Sequence, residues 1–220
     1  MPPMSMDNTQ RMIALLGRVR KQMNGAVSES MANDGENYGL NYGVSIATLR
    51  EIAATEQRDH DFAKYLYQQQ VRELRLIACH LAEPERVDIH DFPFWARGIR
   101  NPELAEELAF ALLSKIYDIN SLMGIWTTES SELISYAALM AASRNARTLS
   151  EVAFVAAEKA VKANLSSRNI AHGVVALLCY IAQHDKSVVV GLPTLLASMP
   201  DGAVKEYVAE ELAWRLEALE

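Results

Sequence analysis

Apolar residues recur along this chain at three- and four-residue intervals and hardly anywhere at alternate positions. Met12, Leu16, Val19 and Met23 fall at i, i+4, i+7 and i+11, one face of a helix, with Arg11, Arg18 and Lys21 beside the stripe. The same rhythm predicts helices over Ser45 to Glu56, Asp59 to Gln69, Val71 to Ala82 and Asp88 to Arg97, the third ended by Pro84. Asn101-Pro102-Glu103 is a sharp start signal. Asparagine suits the cap, proline at the first helical position forfeits no needed N–H, and Glu103 meets the positive end of the dipole. Leu104, Leu108 and Ala111 then carry that helix, widened by Leu112 and Ile116. Further helices are expected over Ile119 to Trp126, Ser131 to Ser143, Leu149 to Ala163, Arg168 to Gln183, Ser187 to Ala197 and Ala203 to Leu219. Thr148 with Glu151 reads as a capping box for the third of these. Val188-Val189-Val190 is the one strand-like run. It has no partner run, so it reads as the start of a helix.

Residues 24–44 break the rhythm. Asn24-Gly25, Asp34-Gly35, Tyr38-Gly39 and Tyr42-Gly43 predict a glycine-rich loop holding one short helix from Ser28 to Ala32. About a dozen helices joined by short loops, most pairs spanning roughly 35–45 residues, match the period of helical repeats. The fold class is all-α, a superhelix of stacked antiparallel helix pairs like HEAT repeats. On rhythm alone, a compact irregular bundle is an equal alternative.

Composition narrows the classes. The 220 residues read as one helical repeat domain over 1–220, long enough to bury a core without staples. Half are hydrophobic and 22% are charged, too few charges for a long tail or a coiled coil. Cys79 and Cys179 each sit in an apolar run, the setting of buried thiols rather than a disulfide framework, which fits a reducing cytoplasm. Residues 1–10 lack the charged-then-apolar order of a signal peptide, and no run of ~20 apolar residues predicts a membrane span. The net charge of −7 argues against a generally basic nucleic-acid binder but leaves room for a basic stripe on an acidic body.

The segment from Asn41 to Ala53, Asn-Tyr-Gly-Val-Ser-Ile-Ala-Thr-Leu-Arg-Glu-Ile-Ala, continues through Asp59 to Tyr67. Val71-Arg72-Glu73-Leu74-Arg75-Leu76-Ile77-Ala78 follows. This block resembles the DNA alkylation repair glycosylases built from HEAT-like repeats, the AlkD type. In them a Tyr/Phe-Gly-Val segment precedes a helix with Leu-Arg/Lys-x-Ile-Ala, and the next helix carries an Arg/His-Glu-x-Arg/Lys pattern. The likeness is good over residues 12–115 and continues helix by helix beyond. Read without the family, Gly43 fits a chain reversal that needs a small residue. Arg72-Glu73 fits an ion pair bracing helices as well as it fits a ligand contact.

The resemblance implies release of N3- or N7-alkylated purines by cleavage of the glycosidic bond, on duplex DNA held in a concave face. A carboxylate would stabilise the cationic sugar and place water, with aromatic rings on the deoxyribose and an arginine on the backbone. The family's Trp-x-x-x-Asp motif falls on residues 102–106, with Pro102 in place of tryptophan and Glu106 as the carboxylate. The family arginine falls near Tyr136, and its later tryptophan near Ala176-Leu177, with no aromatic until Tyr180. Glu106 and Tyr136 are therefore the catalytic candidates, and the departures leave enzyme activity open. Glu103, Glu106 and Glu107 together also read as a solvated, dipole-stabilised first turn. Arg97, Arg100, Arg144, Arg147 and Arg168 are candidate phosphate contacts on one shared surface, and Trp95 a candidate stacking residue or core plug. Trp126 and Trp214 read as core.

Asp59-His60-Asp61 and Asp88-Ile89-His90-Asp91 sit at helix starts, where aspartate caps amides, so no metal is expected. No phosphate loop or nucleophile elbow is present, and no cofactor is implied. Duplex DNA is the expected partner. A non-catalytic scaffold for DNA or a protein partner is the alternative, and oligomeric state is unknown.

Overall fold

The computed structural model describes residues 7–33, 38–129 and 131–217. Among these residues there are thirteen α-helices and no strand beyond a single parallel bridge, Leu40 to Val71. None of the helices is long and apolar enough to cross a membrane. The chain divides at Arg86 and Val87 into two compact units.

The first unit holds α1 (Asn8–Arg20), α2 (Gly25–Asn33), α3 (Ile46–Ala54), α4 (His60–Tyr67) and α5 (Arg72–Leu81). Side chains cap the starts of α1, α3 and α4. Asp7 accepts from Gln10 N, Ser45 from Thr48 N and Asp59 from Phe62 N, each satisfying an amide with no helical partner. α1 runs antiparallel to α4. Thr9 meets Tyr65, while Arg11 bonds Asp59 at 2.6 Å and lies 3.8 Å over the Phe62 ring. The expected helix in the glycine-rich stretch is longer than Ser28 to Ala32. Asn24 caps it, its Oδ1 accepting from Val27 N, so α2 starts at Gly25. The Asp34-Gly35 turn expected next lies outside the described residues.

The family-like block is a structural lock. Glu73 is wholly buried and accepts the backbone N–H groups of Tyr42 (3.0 Å) and Val44 (3.4 Å). Arg72, also buried, pairs with Glu73 at 3.2 Å and donates to Val44 O at 2.8 Å. Arg75 donates to Gln69 O. Both arginines are spent inside the fold, so the Arg72-Glu73 pair braces α5 against the loop ahead of α3. Gly43 has φ +69°, and a Cβ there would lie 2.1 Å from Asn24 O and 2.8 Å from Ser28 N. Only glycine lets this loop pass so close to the start of α2.

The second unit holds α6 (Phe92–Gly98), α7 (Pro102–Ala111), α8 (Ile119–Trp126), α9 (Glu132–Ala142), α10 (Ser150–Ala163), α11 (Arg168–His184), α12 (Leu192–Ser198) and α13 (Ala203–Glu217). α8 and α9 are antiparallel: Asn120, at the start of one, bonds Arg147 O just past the end of the other. α7, α9, α11 and α13 lie side by side and parallel. Glu106 meets Tyr136, Phe110 meets Arg144, Asn169 meets Glu132 and His172 meets Tyr207. α8, α10 and α12 form the second layer. These are stacked antiparallel pairs in two layers, not an irregular bundle, as the HEAT-like expectation requires. Gly173 on α11 sets one spacing, since a Cβ there would come within 3.2 Å of Leu139 and Tyr136 on α9.

Several local expectations change. Thr148 does not cap α10. Its hydroxyl donates to Ala142 O, and the cap position, Leu149, has no side-chain bond to give. α6 starts at Phe92, not Asp88, because Asp88 Oδ1 takes His90 N in a turn and Pro93 sits in the first helical turn. Val188 to Val190 lie in a 3-10 turn over Lys186–Gly191 ahead of α12. Trp126 is core, but Trp214 is 68% exposed. α13 buries Val204, Val208 and Leu212. At 100° per residue Trp214 stands about 200° from Leu212, on the far side. Cys79 and Cys179 are buried free thiols.

Candidate nucleic-acid interface

The parallel layer of the second unit carries the candidate residues. Asn101 caps α7 by accepting from Leu104 N at 3.0 Å, with Pro102 inside the first turn, as the sequence predicts. That start fixes the rotation of α7. Leu104, Ala105, Leu108 and Ala109 point inward, while Glu103, Glu106 and Phe110 form its accessible stripe. Glu107 turns inward and is buried, so the three glutamates are not one solvated turn.

Glu106 and Tyr136 come together. The Tyr136 hydroxyl donates to Glu106 Oε1 at 2.6 Å, and Tyr136 is 3% exposed. Burial pushes the phenol pKa well above the usual tyrosine value. The hydrogen bond to Glu106 and its charge push the same way, and Arg144 opposes them. The phenol therefore keeps its proton and acts as a donor. It holds Glu106 through Oε1. Glu106 is partly exposed, and its Oε2 has no bonding partner among the described residues.

Arg144 is exposed, eight residues beyond Tyr136. Its guanidinium lies 3.9 Å over the Phe110 ring and donates to Ser143 Oγ. Arg147 is exposed as well, with its guanidinium 5.2 Å over the Tyr117 ring. The loop between them is pinned from both sides. Buried Asn145 donates to Ile116 O at 2.8 Å and accepts from Arg147 N at 2.9 Å. Asn120 donates to Arg147 O and accepts from Leu149 N. Phe110, Tyr117, Asn120 and Asn145 escape a reading of the sequence. Asn145 between two arginines is the one local hint.

The five arginines do not form a single band. Arg97, at the end of α6, and Arg100 lie near the start of α7, and Arg168 is the first residue of α11; all three are exposed. Arg144 and Arg147 follow the end of α9. Because the layer is parallel, Arg100 and Arg168 belong to one rim and Arg144 and Arg147 to the other. The ten residues of α7 separate the rims by about 15 Å at 1.5 Å per residue. Glu106 and Tyr136 sit midway. Trp95 is fully buried, its ring edge-on to Phe94 at 5.2 Å, so it plugs the core and offers no face to a nucleic acid. A cavity of about 370 Å³ beside the second rim is lined by Glu151, His184 and Asp185. Its carboxylates make it a poor seat for phosphate. No cluster of metal-ligating side chains occurs among the described residues.

One solved structure superposes over 95% of this chain and 95% of its own, with a TM-score of 0.67 and 17% identity. It is described as "A new family of proteins related to the HEAT-like repeat DNA glycosylases with affinity for branched DNA structures". At that identity the likeness shows the fold, a HEAT-like helical repeat. Curated proteins give no match. The family model described as "DNA alkylation repair enzyme" matches residues 16–190, most of the chain. The chain therefore belongs to the DNA alkylation repair enzyme family.

Proposed function

We propose that the protein binds DNA through the exposed edge of its parallel helix layer. Arg100 and Arg168 would hold phosphates at one rim, and Arg144 and Arg147 at the other. The observation that carries this reading is the pair of pinned, exposed guanidiniums at 144 and 147, which have no carboxylate partner among the described residues. Elsewhere in the chain Arg11, Arg18, Arg86 and Arg215 are all neutralised by acids. Family membership and the DNA affinity stated for the structural neighbour support the same conclusion. Buried free thiols suit a cytoplasmic protein.

Four phosphate contacts make binding steeply salt-dependent. Affinity should fall ~100-fold between 50 and 200 mM salt, from a slope of about −0.9 per phosphate. Fluorescence anisotropy with labelled duplex and branched DNA measures it. Affinity flat across that range would overturn the reading.

Base excision is a second reading, favoured by one observation. Glu106, the residue on which the sequence resemblance puts the family carboxylate, is anchored through Oε1 with Oε2 uncommitted. A fixed anion there stabilises positive charge on a sugar losing its base. Incubation with DNA carrying 7-methylguanine tests it. Release no faster than with Glu106→Gln leaves DNA binding alone.

A further inference from the structure

Tyr117 stands in a loop that nothing so far explains. It is 73% exposed, more than any other aromatic side chain among the described residues. Its root does not move freely. The preceding Ile116 is fully buried, and its carbonyl accepts Asn145 Nδ2 at 2.8 Å. The ring is flanked by the Arg147 guanidinium at 5.2 Å, while Arg144 is held over Phe110. The loop bearing both arginines is fixed by Asn145 and Asn120. An exposed ring and two unneutralised cations are thus presented together at little cost in ordering.

We infer that Tyr117 and the 143–149 loop form a seat for an unpaired nucleotide, with its base stacked on the Tyr117 ring and the flanking phosphates on Arg147 and Arg144. The inference rests on the DNA-binding reading and adds selectivity to it. Bases inside a duplex have both faces covered by neighbours. Only an unpaired or terminal base offers a face to an aromatic ring. Base–aromatic stacking tolerates any sequence, so the seat selects for structure and not for a base. The cation beside the ring strengthens it for the strand it grips.

The test compares a labelled fork with unpaired arms against a fully paired duplex of equal length. The wild-type chain should bind the fork more tightly. Tyr117→Ala should lose about tenfold on the fork and less than twofold on the duplex, while Tyr117→Phe keeps the wild-type preference. Arg147→Ala should weaken both DNAs. A 2-aminopurine in the unpaired arm should be quenched by the wild-type chain and not by Tyr117→Ala, a signal that a purely structural role would not produce. Equal loss on both DNAs, or none, with Tyr117→Ala overturns the seat and leaves DNA binding standing. Wild-type protein that binds neither DNA overturns both.

Discussion

Removing one oxygen at Tyr136 tests whether the Glu106 pair is an energetic unit. Tyr136→Phe deletes the donor to Glu106 Oε1 and leaves the ring in its pocket against Gly173. Hydrogen bonds to charged groups contribute about 1.5–3 kcal/mol. The buried phenol leaves no orphan donor behind in the variant. Glu106 is partly exposed, so water reaches its vacated oxygen and returns part of the loss. We expect about 1 kcal/mol of destabilisation by urea unfolding, and a fall in Tm of about 2 °C, using ~2.1 cal/mol/K of unfolding entropy per residue. In a Glu106→Ala background the same change should cost less than about 0.3 kcal/mol, because its partner is gone. Equal costs in the two backgrounds would refute the pairing and make the 2.6 Å contact incidental.

Gly43→Ala should cost at least about 3 kcal/mol, combining a left-handed backbone with a Cβ driven into Asn24 O and the lost bonds between the loop and α2; urea unfolding measures it, and a loss below about 1 kcal/mol would contradict the close approach. Gly173→Ala should cost about 1–3 kcal/mol, as overpacking does, and should weaken DNA binding by shifting α9 with Tyr136. Tyr136 should resist alkaline titration followed by absorbance at 295 nm. Its raised pKa means the folded state holds the proton more tightly, so this contribution is complete below the unfolded tyrosine pKa and is lost as pH rises through the folded value. Arg147→Ala should reduce the slope of log affinity against log salt by about one. An unchanged slope would remove Arg147 from the phosphate contacts.

Local chemistry was enough for much of this protein. Asn101 capping α7, Ser45 capping α3 and Asp59 capping α4 follow from residue type and spacing, because a helix start is satisfied within three residues. Gly43 was legible for the same reason: its place between Tyr42 and Val44 points to a tight reversal, and φ +69° provides it. The capping box at Thr148 failed because its hydroxyl turns back to Ala142 O at the end of α9 instead of forward into α10. Trp95 and Trp214 show the same limit. Both lie in helices, yet packing buries one wholly and exposes most of the other. The candidate site divides along that line. The family resemblance pointed to Glu106 and Tyr136 and the arginines were plain in the sequence, while their grouping depended on which helices lie side by side. Contacts between residues thirty positions apart bring Tyr136 to Glu106, place Arg144 over Phe110 and pin Arg147 beside Tyr117. Periodicity sets the face each residue takes on its own helix; the parallel stacking of α7, α9 and α11, set by side-chain volume at positions such as Gly173, decides which faces meet.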